Sequence, residues 1–125
     1  MTLRKLFVID DDPGMLRTIE RLLKVHGFDV QAFASAEAFL GSANPRDGGC
    51  LVLDIDLGGM SGIELRRQLT LSGMSLPVIF ITAKDSEFVR KTALEVGCFA
   101  YLSKPFPAKQ LMDAIEKAFN VPQDL

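Results

Sequence analysis

Short apolar runs of strand length alternate with amphipathic stretches of helical period along the whole chain. This alternation limits the possible folds more than any other feature. The runs cover residues 6–9, 28–33, 51–53, 78–81 and 99–102, and several are rich in Val, Ile and Phe. Met15, Ile19, Leu22 and Leu23 follow the i, i+4, i+7, i+8 spacing of one helix face, and Leu111, Ile115, Ala118 and Phe119 repeat it. Further helices are predicted over 65–71 and 89–96, with a short one near 36–40. Gly27 and Gly97 stand where a left-handed C-cap is wanted, and Pro13 suits a first helical turn. Five strands and five helices in strict alternation predict parallel strands, right-handed crossovers and a doubly wound (βα)5 α/β sheet covered on both faces.

A chain of 125 residues suits a single domain, taken as 1–125. The apolar share of 48% and charged share of 24% are those of a globular protein. Net charge is only −2 and no basic run occurs, so this segment is not expected to bind nucleic acid or a membrane surface. No apolar run approaches the roughly 20 residues needed to span a bilayer, and no secretory leader is visible, so the expected location is cytoplasmic. Cys50 and Cys98 are isolated, which argues for buried thiols rather than a disulfide framework or zinc site. His26, the single histidine, is expected to face solvent at the end of the first helix.

Ligands of an open parallel sheet bind outside the carboxyl ends of its strands. Asp10-Asp11-Asp12 follows the first run, Asp54 the third, Thr82 the fourth and Lys104 the fifth. Asp10, Asp11, Asp54, Thr82 and Lys104 should therefore meet at one sheet edge, while Asp12, just before Pro13, caps the first helix. Clustered carboxylates need positive charge among them. Lys104 and a divalent cation could supply it, and an all-oxygen donor set without His or Cys suits Mg²⁺, with Mn²⁺ a substitute. A carboxylate so placed can attack phosphorus and form an aspartyl phosphate, with Asp54 the candidate nucleophile.

The acidic cluster, "VLDIDLGGMSG" around Asp54, "ITA" at Thr82-Ala83 and "KPF" from Lys104, in this order, resemble the receiver domain of bacterial two-component response regulators. "SAEAFL" and "MSGIEL" further resemble receivers of nitrogen-fixation-type transcriptional regulators. The resemblance implies a flavodoxin-like strand order 2-1-3-4-5 and phosphorylation of Asp54 from a phosphohistidine on a sensor histidine kinase or histidine phosphotransfer protein. It implies Mg²⁺ held by Asp10, Asp11, Asp54 and the Asp56 carbonyl. Thr82 and Lys104 would contact the phosphoryl group, Thr82 and Tyr101 would form the switch, and the bond before Pro105 would be cis. Such a domain is not an enzyme in the ordinary sense, since it promotes only its own phosphorylation and dephosphorylation. It passes the signal to an effector domain or protein through the fourth helix, fifth strand and fifth helix, and a phosphorylation-dependent homodimer is compatible with it. No effector domain is expected within these residues.

The family often has Pro four residues after its phosphorylated Asp; here Gly58-Gly59 predicts a more flexible loop. An ion pair between Asp56 and Lys84 is also expected across the pocket mouth. Three other readings compete. A haloacid-dehalogenase-type phosphatase shares Asp54, Asp56, Thr82 and Lys104 but places further acids after the Lys. A flavodoxin-like binder would cradle phosphate in its first loop, where three aspartates repel it. A phosphorylation-independent interaction domain would not need this set of pocket residues.

Overall fold

A computed structural model describes residues 3–120 of the chain. Its elements run β1 (Lys5–Ile9), α1 (Pro13–Val25), β2 (Asp29–Phe33), α2 (Ala36–Ser42), β3 (Leu51–Asp54), α3 (Gly62–Leu71), β4 (Val78–Thr82), α4 (Glu87–Val96), β5 (Ala100–Ser103) and α5 (Ala108–Asn120). All strand pairs are parallel and the sheet order is β2-β1-β3-β4-β5. This is the doubly wound order expected for the chain.

Successive side chains of a strand point to opposite faces, so each central strand feeds two cores. Phe7, Ile9, Leu51, Leu53 and Phe80 pack on one face with Phe39 of α2, Leu65 and Leu69 of α3 and Ala93 of α4. Leu6, Val8, Val52, Ile79 and Ile81 pack on the other with Ile19 and Leu23 of α1 and Leu111 and Ile115 of α5. Burial on both faces is why β1, β3 and β4 read as continuous apolar runs rather than alternating ones.

Helix boundaries follow capping. The Asp12 side chain accepts from the Gly14 amide at 3.0 Å, opening α1 with Pro13 in the first turn. Ser61 caps α3 and Ser86 caps α4, their hydroxyls accepting from the amides of Glu64 and Val89. Those caps start both helices ahead of the first apolar residue that periodicity detects, at 62 rather than 65 and at 87 rather than 89. Gly27 and Gly97 follow α1 and α4 with φ of 88° and 93°, as the C-cap reading requires. His26 is exposed, its Nδ1 2.9 Å from the Leu22 carbonyl oxygen. A 3-10 turn at Pro45–Asp47, absent from the sequence reading, is set by Asn44, whose side chain accepts from the Arg46 amide.

Both cysteines are free. Cys50 is buried, and burial pushes its thiol up to about 12. Cys98 is only half-buried, because it lies beyond α4 at the rim of the first core rather than inside it.

Candidate functional site

Parallel register carries the ends of four strands to one edge of the sheet. Asp54 ends β3 opposite Ile81, and Thr82 ends β4 opposite Ser103. Asp10 follows β1, with its amide donating to the Phe33 carbonyl, and Lys104 follows β5, with its amide donating to the Thr82 carbonyl at 2.7 Å. The Lys104–Pro105 peptide bond is cis.

Carboxylate oxygens of Asp10, Asp11 and Asp54 lie within 4.8 Å of one another. Asp10 is fully buried, Asp54 is 2% exposed and Asp11 faces solvent. Two acids cannot stand side by side in a buried site without compensation. Lys104 supplies part of it, with Nζ 2.9 Å from Asp10 Oδ2 and 3.3 Å from Asp54 Oδ2. Backbone amides supply more: Asp12 donates to Asp10 Oδ1, Asp56 to Asp54 Oδ1 and Gly58 to Asp11 Oδ2. Among the described residues, every buried side-chain polar atom has a hydrogen-bond partner.

One ammonium does not balance three carboxylates. Burial raises the Asp54 carboxyl to about 6; the Asp56 amide pulls it down, and Asp10 pushes it up against the attraction of Lys104. For Lys104, burial lowers the pKa, but the hydrogen bond and attraction of Asp10, joined by Asp54, outweigh it and leave the ammonium above its ordinary range. An acidic cluster of oxygen donors with uncompensated charge has the donor chemistry of a hard divalent cation, so the residues present fit Mg²⁺.

Thr82 is fully buried, and its hydroxyl donates to Asp56 Oδ2 at 2.7 Å while accepting from the Lys84 amide at 3.0 Å. This corrects the expected Asp56–Lys84 ion pair. The Asp56 carboxylate is engaged by Thr82, Lys84 meets Thr82 through its backbone, and no Asp56–Lys84 pair occurs among the described residues.

Tyr101 is half-buried on β5, and its hydroxyl donates to Asp85 Oδ1 at 2.8 Å. Arg90 grips the other oxygen of Asp85 at 2.8 Å and lies 5.4 Å from the Tyr101 ring centroid. Desolvation, then the hydrogen bond and charge of Asp85, raise the Tyr101 phenol to about 12.

The loop from β3 to α3, which carries Gly58-Gly59, is held by hydrogen bonds on both sides. Gly58 is tied to Asp11, and the Met60 amide donates to Glu37 Oε2 at 2.9 Å. Beyond it the Gly62 amide donates to the Ile55 carbonyl, and a Cβ at Gly62 would lie 2.4 Å from the backbone oxygen of Asp54.

Glu37, Asp85 and Gly62 were not singled out from sequence. Glu37 and Asp85 join segments 23 and 16 residues apart without any periodic signal. Gly62 carried one weak signal, a glycine directly after the capping Ser61.

The response regulator receiver domain model matches residues 6–116. The chain is 38% identical over 112 residues to Nodulation protein W of Bradyrhizobium diazoefficiens, covering 90% of this chain and 49% of that protein. It is 33% identical over 116 residues to the response regulator protein TodT of Pseudomonas putida, covering 93% and 51%. The chain thus spans about half the length of these curated relatives. The crystal structure of FixJ-N superposes with a TM-score of 0.85 at 29% identity, each chain covered in full. With the sheet order, the acidic edge and a family match across nearly all of its described residues, this chain belongs to the response regulator receiver domain family.

Proposed function

We propose that this domain accepts a phosphoryl group on Asp54 from the phosphohistidine of a sensor histidine kinase or histidine phosphotransfer protein. The observation that carries this reading is the buried Asp54 carboxylate, 3.3 Å from the Lys104 ammonium and clustered with Asp10 and Asp11. An oxygen of ionised Asp54 attacks phosphorus, the P–N bond breaks, and the electron pair leaves with the imidazole. Lys104 offsets charge on the phosphoryl oxygens, and the amide of Asp56 orients the nucleophile. Asp10, Asp11 and Asp54, with the Asp56 carbonyl, would hold Mg²⁺ or Mn²⁺, which supplies electrostatic stabilisation of the phosphoryl group.

The new anion also competes for Thr82. Its hydroxyl would leave Asp56 to donate to a phosphoryl oxygen, and the vacated space would admit Tyr101 once Asp85 releases it. Those movements would alter the face formed by α4, β5 and α5, where an effector domain, a partner protein or a second copy of the chain would bind. Among the described residues no helix is long and apolar enough to cross a membrane. Action in the cytoplasm, beside a kinase's catalytic portion, is part of the same proposal.

The test is intact mass after incubation with acetyl phosphate. A gain of about 80 Da that requires Mg²⁺ and is absent from Asp54→Asn is expected. An adduct that persists in Asp54→Asn would refute the assignment. Turnover of a phosphomonoester would instead favour the phosphatase reading.

A further inference from the structure

Glu37 belongs to neither the acidic cluster nor the switch, yet its carboxylate holds the loop that borders both. We propose that Glu37 is a positioning residue for the metal ion of the acidic pocket, acting through the backbone of the β3–α3 loop. This rests on the reading of that pocket as a Mg²⁺ site.

The loop carries the Asp56 carbonyl, one of the groups assigned to the ion, and then two adjacent glycines without a proline to stiffen them. Its order must come from hydrogen bonds. On the pocket side, the Gly58 amide donates to Asp11 Oδ2 at 3.2 Å. On the outer side, the Met60 amide donates to Glu37 Oε2 at 2.9 Å. These two carboxylates bracket Gly59, whose φ is +79° and at which a Cβ would stand 2.8 Å from Glu37 Oε2. The positive φ favours glycine there, and the backbone passes close beside the end of the Glu37 side chain.

Glu37 is well placed to anchor something. It lies in the first turn of α2, between the Ser35 cap that accepts from the Ala38 amide and Phe39, with Ala36 and Phe39 fully buried. Its base is thus fixed to the core while its carboxylate reaches the loop. The Met60 amide holds the Glu37 carboxyl below its ordinary range.

The two tethers differ in what an ion does to them. Asp11 is itself in the cluster, so a cation competes for the carboxylate that holds Gly58. Glu37 is outside it, so its bond to Met60 does not compete with the ion. Glu37 is therefore the tether that keeps the loop, and the Asp56 carbonyl with it, in place when the ion is bound. Groups that orient metal ligands from outside the coordination sphere commonly govern affinity in this way.

The experiment separates contact from charge in the intact chain. Glu37→Gln keeps an acceptor for Met60 and loses the charge; Glu37→Asp keeps the charge and is too short for the contact; Glu37→Ala loses both. Mg²⁺ affinity is read without phosphodonor from the Gly58 amide shift, and loop order from hydrogen exchange of the Met60 amide without metal. Glu37→Asp and Glu37→Ala should bind Mg²⁺ about three- to tenfold more weakly with faster Met60 exchange, while Glu37→Gln stays within about twofold of the parent. Glu37→Gln as weak as Glu37→Ala, with Glu37→Asp unchanged, would make the effect one of long-range charge and overturn the proposal. Equal Mg²⁺ affinity in all four proteins would overturn it alone. A parent protein that binds no Mg²⁺ would overturn the metal-site reading as well.

Discussion

The Asp54 carboxyl shows what a receiver pocket demands of a single residue. Burial raises it to about 6 from an ordinary 3.8. The folded protein then binds this proton more tightly than the unfolded chain, so the stabilisation is complete below about pH 4 and is lost as pH rises through about 6. In metal-free protein Asp54→Asn should therefore raise stability by about 1–3 kcal/mol near neutral pH, and the gain should fade on acidification to about pH 4. Denaturant unfolding across that range, with a chelator present, measures it. Tyr101 offers a cleaner titration because it is the chain's single tyrosine. Its phenol stands at about 12, with Asp85 among the causes. Asp85→Asn removes a negative charge facing the phenolate, so the tyrosinate absorbance should appear about one pH unit lower. An unchanged titration would mean that Asp85 does not hold Tyr101 in solution.

At the scale of elements, the approach of α3 to β3 fixes the backbone at Asp54. Gly62 opens α3 against the carbonyl of Asp54, and the atom that a Cβ would strike at 2.4 Å is backbone, which cannot swing aside. Gly62→Ala should cost about 1–3 kcal/mol by overpacking and slow phosphorylation by displacing Asp54. Thermal unfolding and the rate of acetyl phosphate labelling read the two effects separately. Gly41, with open space around its Cβ position, is the control: Gly41→Ala, inside α2, should leave the labelling rate unchanged and stabilise the helix slightly.

Across the whole molecule, what the sequence made legible was what repeats or what terminates. Apolar runs rich in Val, Ile, Leu and Phe located the inner strands β1, β3 and β4, which the sheet buries on both faces, and the polar residues after four of the five runs marked the edge that carries Asp10, Asp54, Thr82 and Lys104. Contacts between a loop and a distant element were not legible, because no period links Glu37 of α2 to Met60 or Asp85 to Tyr101 of β5. The Asp56–Lys84 expectation failed for a related reason. Charge complementarity named a partner, but the buried Thr82 hydroxyl needed an acceptor and took Asp56 instead.

The Thr82–Asp56 and Tyr101–Asp85 contacts lie at the two ends of the proposed switch, by which events at Asp54 would reach the surface around Tyr101. Amide chemical shifts of the Mg²⁺-loaded protein, recorded before and after acetyl phosphate, test that propagation. Changes should extend from Asp54 and Thr82 through Asp85 and Arg90 to Tyr101, and should be absent from Asp54→Asn. Changes confined to the loops around Asp10, Asp54 and Lys104, with Tyr101 and α4 unmoved, would contradict it.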